Sequence, residues 1–129
     1  MALVKDIMTT QVLTVKPTTS VKEAIKLIVE IDISGLIVTD DNHEIVGVIS
    51  GKDLLVAYDM LGNVNAPIDE FINRDVLSIT QDTTIEDARK ILIQTNVLRL
   101  PVVDHKKVIG VVSRGDVLKY ILKNYMKSS

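Results

Sequence analysis

The stretch Gly47-Val48-Ile49-Ser50-Gly51-Lys52-Asp53 returns further along the chain as Gly110-Val111-Val112-Ser113-Arg114-Gly115-Asp116. In both copies a run of β-branched residues ends at a Ser, and an Asp three positions later opens a stretch with helical apolar spacing. That is the pattern of a strand turning directly into a capped helix. Outward from these copies the rest of the chain also pairs with itself. Val12-Leu13-Thr14-Val15 matches Val76-Leu77-Ser78-Ile79, Ala24 matches Ala88, and Leu36 matches Leu100. After Asp40 and Asp104 the offset shortens by one, because the loop Asp40 to Glu44 is one residue longer than Asp104 to Lys107. A loop tip is where a duplicated sequence tolerates such a change. The chain therefore reads as one unit used twice, residues 1–64 and 65–129.

Each unit has the order β-α-β-β-α, an α+β class. Val12 to Val15 and Val76 to Ile79 are expected as short entry strands. A helix follows each, started by Ser20-x-x-Glu23 or Thr84-x-x-Asp87 and carrying Val21, Ala24, Ile25 and Ile28, or Ile85, Ala88, Ile91 and Leu92, at helical spacing. Two hairpins come next, Leu36 to Thr39 with Ile45 to Ile49 and Leu100 to Val103 with Val108 to Val112. Second helices, Asp53 to Met60 and Asp116 to Met126, close the units.

Composition narrows the function. Hydrophobic residues make up 47% of the 129, which supports a packed core and excludes disorder, and the scarcity of aromatics (three Tyr, one Phe, no Trp) leaves that core to Val, Ile and Leu. A net charge of −2 without a basic stripe argues against nucleic-acid binding and against anionic membranes. There is no Cys, so disulfides, thiolate metal sites and Cys nucleophiles are out. No apolar run reaches the roughly 18 residues of a membrane span, and the opening lacks a signal-peptide pattern, so a cytoplasmic location is expected. Ser-His-Asp, HExxH, Walker A and GxGxxG patterns are missing, and the reading is of a non-enzyme with neither catalytic residues nor a metal. His43 and His105 occupy matching hairpin loops and read as polar turn residues.

The repeated strand-turn-helix segments, together with Lys5-Asp6-Ile7-Met8-Thr9 and Leu100-Pro101-Val102-Val103-Asp104, resemble the cystathionine β-synthase (CBS) domain family. The likeness covers essentially the whole chain as a tandem pair, the Bateman module. It implies two units packed with pseudo-twofold symmetry, clefts for adenosine-containing ligands, and a homodimer joined through helices. One cleft is expected to combine Ser50 and Asp53 with Ile72, Leu77, Val97, Leu98 and Arg99. The other is expected to combine Ser113, Arg114 and Asp116 with Met8, Leu13, Ile33, Ser34 and Gly35.

The chemistry of those residues agrees with the resemblance. An Asp in a helix's first turn offers two acceptor oxygens to the ribose hydroxyls, and a Ser opening that helix sits among free N–H groups where phosphate is stabilised. Arg99 and Arg114 are candidate phosphate partners, one for each cleft. The same Ser-x-x-Asp is equally a helix cap, and both readings stand at this level. The expectation is a non-catalytic regulatory module whose ligand is AMP, ADP or ATP and which signals to an effector protein in trans, since little chain follows Tyr120. Its rivals are a ligand-free dimerisation scaffold and a binder of S-adenosylmethionine, NAD or nucleic acid.

Overall fold

Helices alternate with two small sheets in a computed structural model that describes residues 1–128, so the α+β class holds. The chain divides into two compact units. One is Leu13–Val76, and the other joins Met1–Val12 to the chain from Leu77 onward.

In the Leu13–Val76 unit the elements are β1 (Thr14–Val15), α1 (Val21–Ile31), β2 (Gly35–Thr39), β3 (Ile45–Ser50) and α2 (Gly51–Leu61). β1 runs parallel to β2, and β2 pairs antiparallel with β3 from Gly35↔Ser50 to Thr39↔Ile45. Ser20 caps α1 by accepting from the Glu23 N–H at 3.1 Å. The helical spacing does as expected: Val21 and Ala24 are buried with Leu36, Val38, Ile49, Leu54 and Ala57, while Ile25 and Ile28 pack at the margin. Burying one such aliphatic side chain contributes about 1.5–3 kcal/mol.

The other unit contains α3 (Ile85–Gln94), β4 (Arg99–Asp104), β5 (Lys107–Ser113) and α4 (Arg114–Ser128). Its core is Ile79, Ile85, Ala88, Leu92, Leu100, Val102, Val112 and Val117, with Val4. The entry strand expected over Val76 to Ile79 shrinks to one parallel bridge, Ile79↔Val102, where its counterpart forms Thr14↔Ile37 and Val15↔Val38. Pro101 occupies the position of Ile37 and has no N–H with which to extend the ladder. The hairpin loops differ as their lengths require. His105 and Lys106 have φ of 51° and 70°, the two consecutive positive values of a tight two-residue turn. In the longer loop Asp40 Oδ1 accepts from the N–H groups of Asn42 and Glu44, and His43 takes the one positive φ. Both histidines thus serve the turns.

A feature the repeat does not announce is where the entry segments go. In the Leu13–Val76 unit the Val21 N–H, free at a helix start, donates to Ala66 O at 2.9 Å, the Ile68 N–H donates to Thr19 O, and Ile68 is fully buried. In the other unit the Ile85 N–H donates to Ala2 O at 3.1 Å, the Val4 N–H donates to Thr83 O, and Val4 is fully buried. Ala2 and Ala66, and Val4 and Ile68, are repeat equivalents. Each sequence repeat therefore lends its opening segment to the compact unit built around the other repeat. The segments continue as bridges, Asn73 on Val48 and Thr9 on Val111, each through two backbone hydrogen bonds of 2.8 or 2.9 Å. Gly47 and Gly110 make room for them: a Cβ on Gly47 would stand 2.3 Å from Asn73 O, and one on Gly110 2.7 Å from Met8 Sδ.

Candidate functional site

In both units the second strand of the hairpin ends at a Ser that becomes the N-cap of the next helix. Ser50 Oγ accepts from the Asp53 N–H at 3.1 Å, and Asp53 Oδ2 accepts in return from the Ser50 N–H at 2.8 Å and from the Ser50 hydroxyl at 2.9 Å. Ser113 and Asp116 repeat the reciprocal pair at 3.1 and 2.8 Å. Here the reading as a capping box is realised in full. In each pair one carboxylate oxygen, Oδ2, is engaged. Oδ1 has no protein partner among the described residues, which leaves an acceptor for a second task.

The backbone brings the start of the preceding strand to each cap. Gly35 is the ladder partner of Ser50, and the Gly51 N–H donates to Ser34 O at 3.1 Å. Arg99 is the ladder partner of Ser113, and the Arg114 N–H donates to Leu98 O at 3.2 Å. So the pairs are Ser34–Gly35 with Ser50–Asp53, and Leu98–Arg99 with Ser113–Asp116, each inside one unit. Antiparallel register explains the arrangement, since a hairpin places the start of its first strand beside the end of its second.

The remaining candidates fall as follows. Ile72 is buried over Gly47 in the Leu13–Val76 unit, and Met8 packs over Gly110 in the other. Ile33 is half-buried at the end of α1 and its N–H donates to Ile28 O, while Leu13 is exposed. Val97 is partly buried, and Leu77 and Leu98 are exposed apolar side chains. The Arg114 guanidinium turns away from its Ser and donates to Leu92 O and Thr95 O, both at 3.2 Å, where it satisfies the free carbonyls at the end of α3. The Arg99 side chain, in contrast, makes no hydrogen bond or ion pair among the described residues.

Two cations escaped the sequence reading. Lys119 and Lys123 follow Asp116 at the spacing of one helix face and line with it a cavity of about 350 Å³ shared with Asp6 and Tyr120. Counting three and seven from Asp116 would have found them. Among the described residues no group of three or more His, Asp or Glu side chains is placed to hold a metal ion, and no helix is long and apolar enough to cross a membrane.

The CBS domain family model matches residues 4–59 and again 68–123. The chain belongs to the CBS-domain family. Its fold is that of CBS pairs: the structure of Arabidopsis thaliana CBSX2 in complex with AMP matches 97% of this chain and 99% of that one, with a TM-score of 0.87 and 36% identity. The CBS domain pair of protein MJ0100, solved in complex with 5′-methylthioadenosine and S-adenosyl-L-methionine, matches 96% of this CBS pair and 98% of its own chain, with a TM-score of 0.80 and 26% identity. A Methanocaldococcus jannaschii protein is 40% identical over 92% of the chain, and an Acidianus ambivalens protein 31% identical over the same share. The chain spans 39% of the length of the first of these relatives and 73% of the second.

Proposed function

We propose that this CBS pair is a non-catalytic regulatory module that binds adenine nucleotides or related adenosyl compounds at its two Ser-x-x-Asp helix starts and signals to an effector protein in trans. The observation that carries the reading is the half-used carboxylate. Asp53 and Asp116 each commit one oxygen to the cap and keep the other open, beside the one first-turn N–H, that of Lys52 or Gly115, which neither the cap nor the preceding strand engages. A carboxylate acceptor for ribose and N–H donors for phosphate are what a nucleotide requires. The complexes of CBSX2 with AMP and of MJ0100 with two adenosyl ligands support the same ligand class.

The module works in a cytoplasmic setting as a homodimer. Support for self-association comes from the second helices, which expose Leu55 and Met60 on α2 and Leu118, Leu122 and Tyr125 on α4, more apolar surface than a solvated helix carries. The test is equilibrium binding of AMP, ADP, ATP and S-adenosylmethionine to the purified chain, followed by calorimetry and by thermal unfolding. A ligand present at a hundred times its Kd adds about 2.7 kcal/mol, a shift of several degrees for a domain of this size. If none of the four shifts the melting temperature at millimolar concentration, the chain is a ligand-free scaffold.

A further inference from the structure

We infer that the two helix-start loci are specialised by charge: the one at Ser113 and Asp116 takes a phosphorylated adenosyl ligand anchored by Arg99, and the one at Ser50 and Asp53 takes an adenosyl ligand without a phosphate. The inference rests on the reading that these helix starts hold adenosyl ligands, and adds which chemistry each accepts.

The two loci share a backbone and differ in what surrounds it. Arg99 stands across the ladder from Ser113, and cross-strand partners project from the same face of a sheet. Its guanidinium has no partner among the described residues and offers a planar fork of donors suited to phosphate. The equivalent position across from Ser50 is Gly35, and a Cβ there would stand 2.9 Å from the backbone oxygen of Ile49. A side chain of any kind is therefore excluded at that place unless the strand moves. The asymmetry continues along the helices. Lys119 and Lys123 share a cavity with Asp116, while the positions equivalent to them on α2 are Val56 and Met60. Arg114 contributes to neither locus, because its guanidinium is held by the carbonyls of Leu92 and Thr95. The nearest cation in sequence to the Ser50 locus is Lys52, exposed on the first turn of α2. A phosphate dianion would gain a built partner at one locus. At the other, a thioether or hydroxyl at the 5′ position would lose nothing by lacking charge.

Titration calorimetry on the full chain with AMP and with 5′-methylthioadenosine, a nucleoside with no phosphate, tests this. Arg99→Ala should weaken AMP about tenfold or more and leave methylthioadenosine within about twofold, the loss expected of a hydrogen bond to a charged group. Retained methylthioadenosine binding shows in the same experiment that the variant is folded, and Arg99→Lys should recover AMP affinity only in part. Asp53→Asn should weaken methylthioadenosine and spare AMP, Asp116→Asn should do the reverse, and Lys52→Ala should change neither. Equal loss of both ligands in Arg99→Ala, or loss of AMP in Asp53→Asn as large as in Asp116→Asn, overturns the specialisation while leaving adenosyl binding intact. Absence of binding of either ligand to the unaltered chain overturns the underlying reading as well.

Discussion

The backbone oxygen of Ala66 lies 2.9 Å from the N–H of Val21, so the first helix of the first repeat is closed at its N-terminus by the opening segment of the second repeat. Ala2 O and the Ile85 N–H form the reciprocal contact. A fragment cut at the repeat boundary, residues 1–64, therefore lacks Ala66, the fully buried Ile68 and the Asn73 bridge. A fragment of residues 13–76 keeps all three. Loss of Ile68 burial alone is worth about 1.5–3 kcal/mol, a large share of the stability of so small a unit. The 13–76 fragment should show a cooperative thermal transition by circular dichroism and dispersed amide resonances, and the 1–64 fragment neither. Equal melting of the two would show that the entry segments are decoration.

The same docking makes the two strand glycines unequal. In Gly47→Ala the new methyl meets the backbone oxygen of Asn73 at 2.3 Å, whereas in Gly110→Ala the nearest atom is the flexible end of Met8 at 2.7 Å, with Thr9 O at 3.1 Å. Overpacking typically costs about 1–3 kcal/mol, and the cost is greatest where backbone must yield. Urea unfolding should place Gly47→Ala well below Gly110→Ala in midpoint. The reverse order would mean that Met8 is the more rigid neighbour.

Cap and ligand group separate at Asp53 and Asp116. Asn preserves one acceptor, which can take the place of Oδ2 toward the Ser N–H, so thermal stability should fall by about 1 kcal/mol or less. The open Oδ1, however, becomes an amide donor facing the donors of a ribose diol. Affinity at the altered locus should fall about tenfold or more while the other locus is unaffected. Unchanged nucleotide affinity together with a clear loss of stability in both variants would make the aspartates caps only.

The arginines should divide in the opposite sense. Arg114→Ala strips two hydrogen bonds from the end of α3 and should lower unfolding stability by about 1–2 kcal/mol, with AMP affinity within about twofold. Arg99→Ala removes a side chain without protein partners among the described residues, and stability should hardly move. A large stability loss in Arg99→Ala and none in Arg114→Ala would invert both assignments.

The features legible in neighbouring residues are local: the duplication, the α+β order, the helix caps at Ser20, Ser50, Thr84 and Ser113, and the two strands that end at Ser50 and Ser113. These follow from side-chain period and from hydrogen bonds spanning three residues, both of which are written in neighbouring positions. The family resemblance was legible for the same reason, in the repeated Ser-x-x-Asp. The rest depends on which distant segments meet in the folded chain. A proline at position 101 removed one N–H and with it a strand, and the entry segments crossed to the opposite repeat because their partners, Thr19 and Thr83, lie in loops that no periodicity marks. Ladder register, which sequence spacing does not specify for a hairpin's far end, put Arg99 beside Ser113 and left Gly35 beside Ser50. Two caps built on the same Ser-x-x-Asp pattern thus stand in different electrostatic surroundings, because a helix start is fixed by its own residues and its neighbours are fixed by the strand across from it.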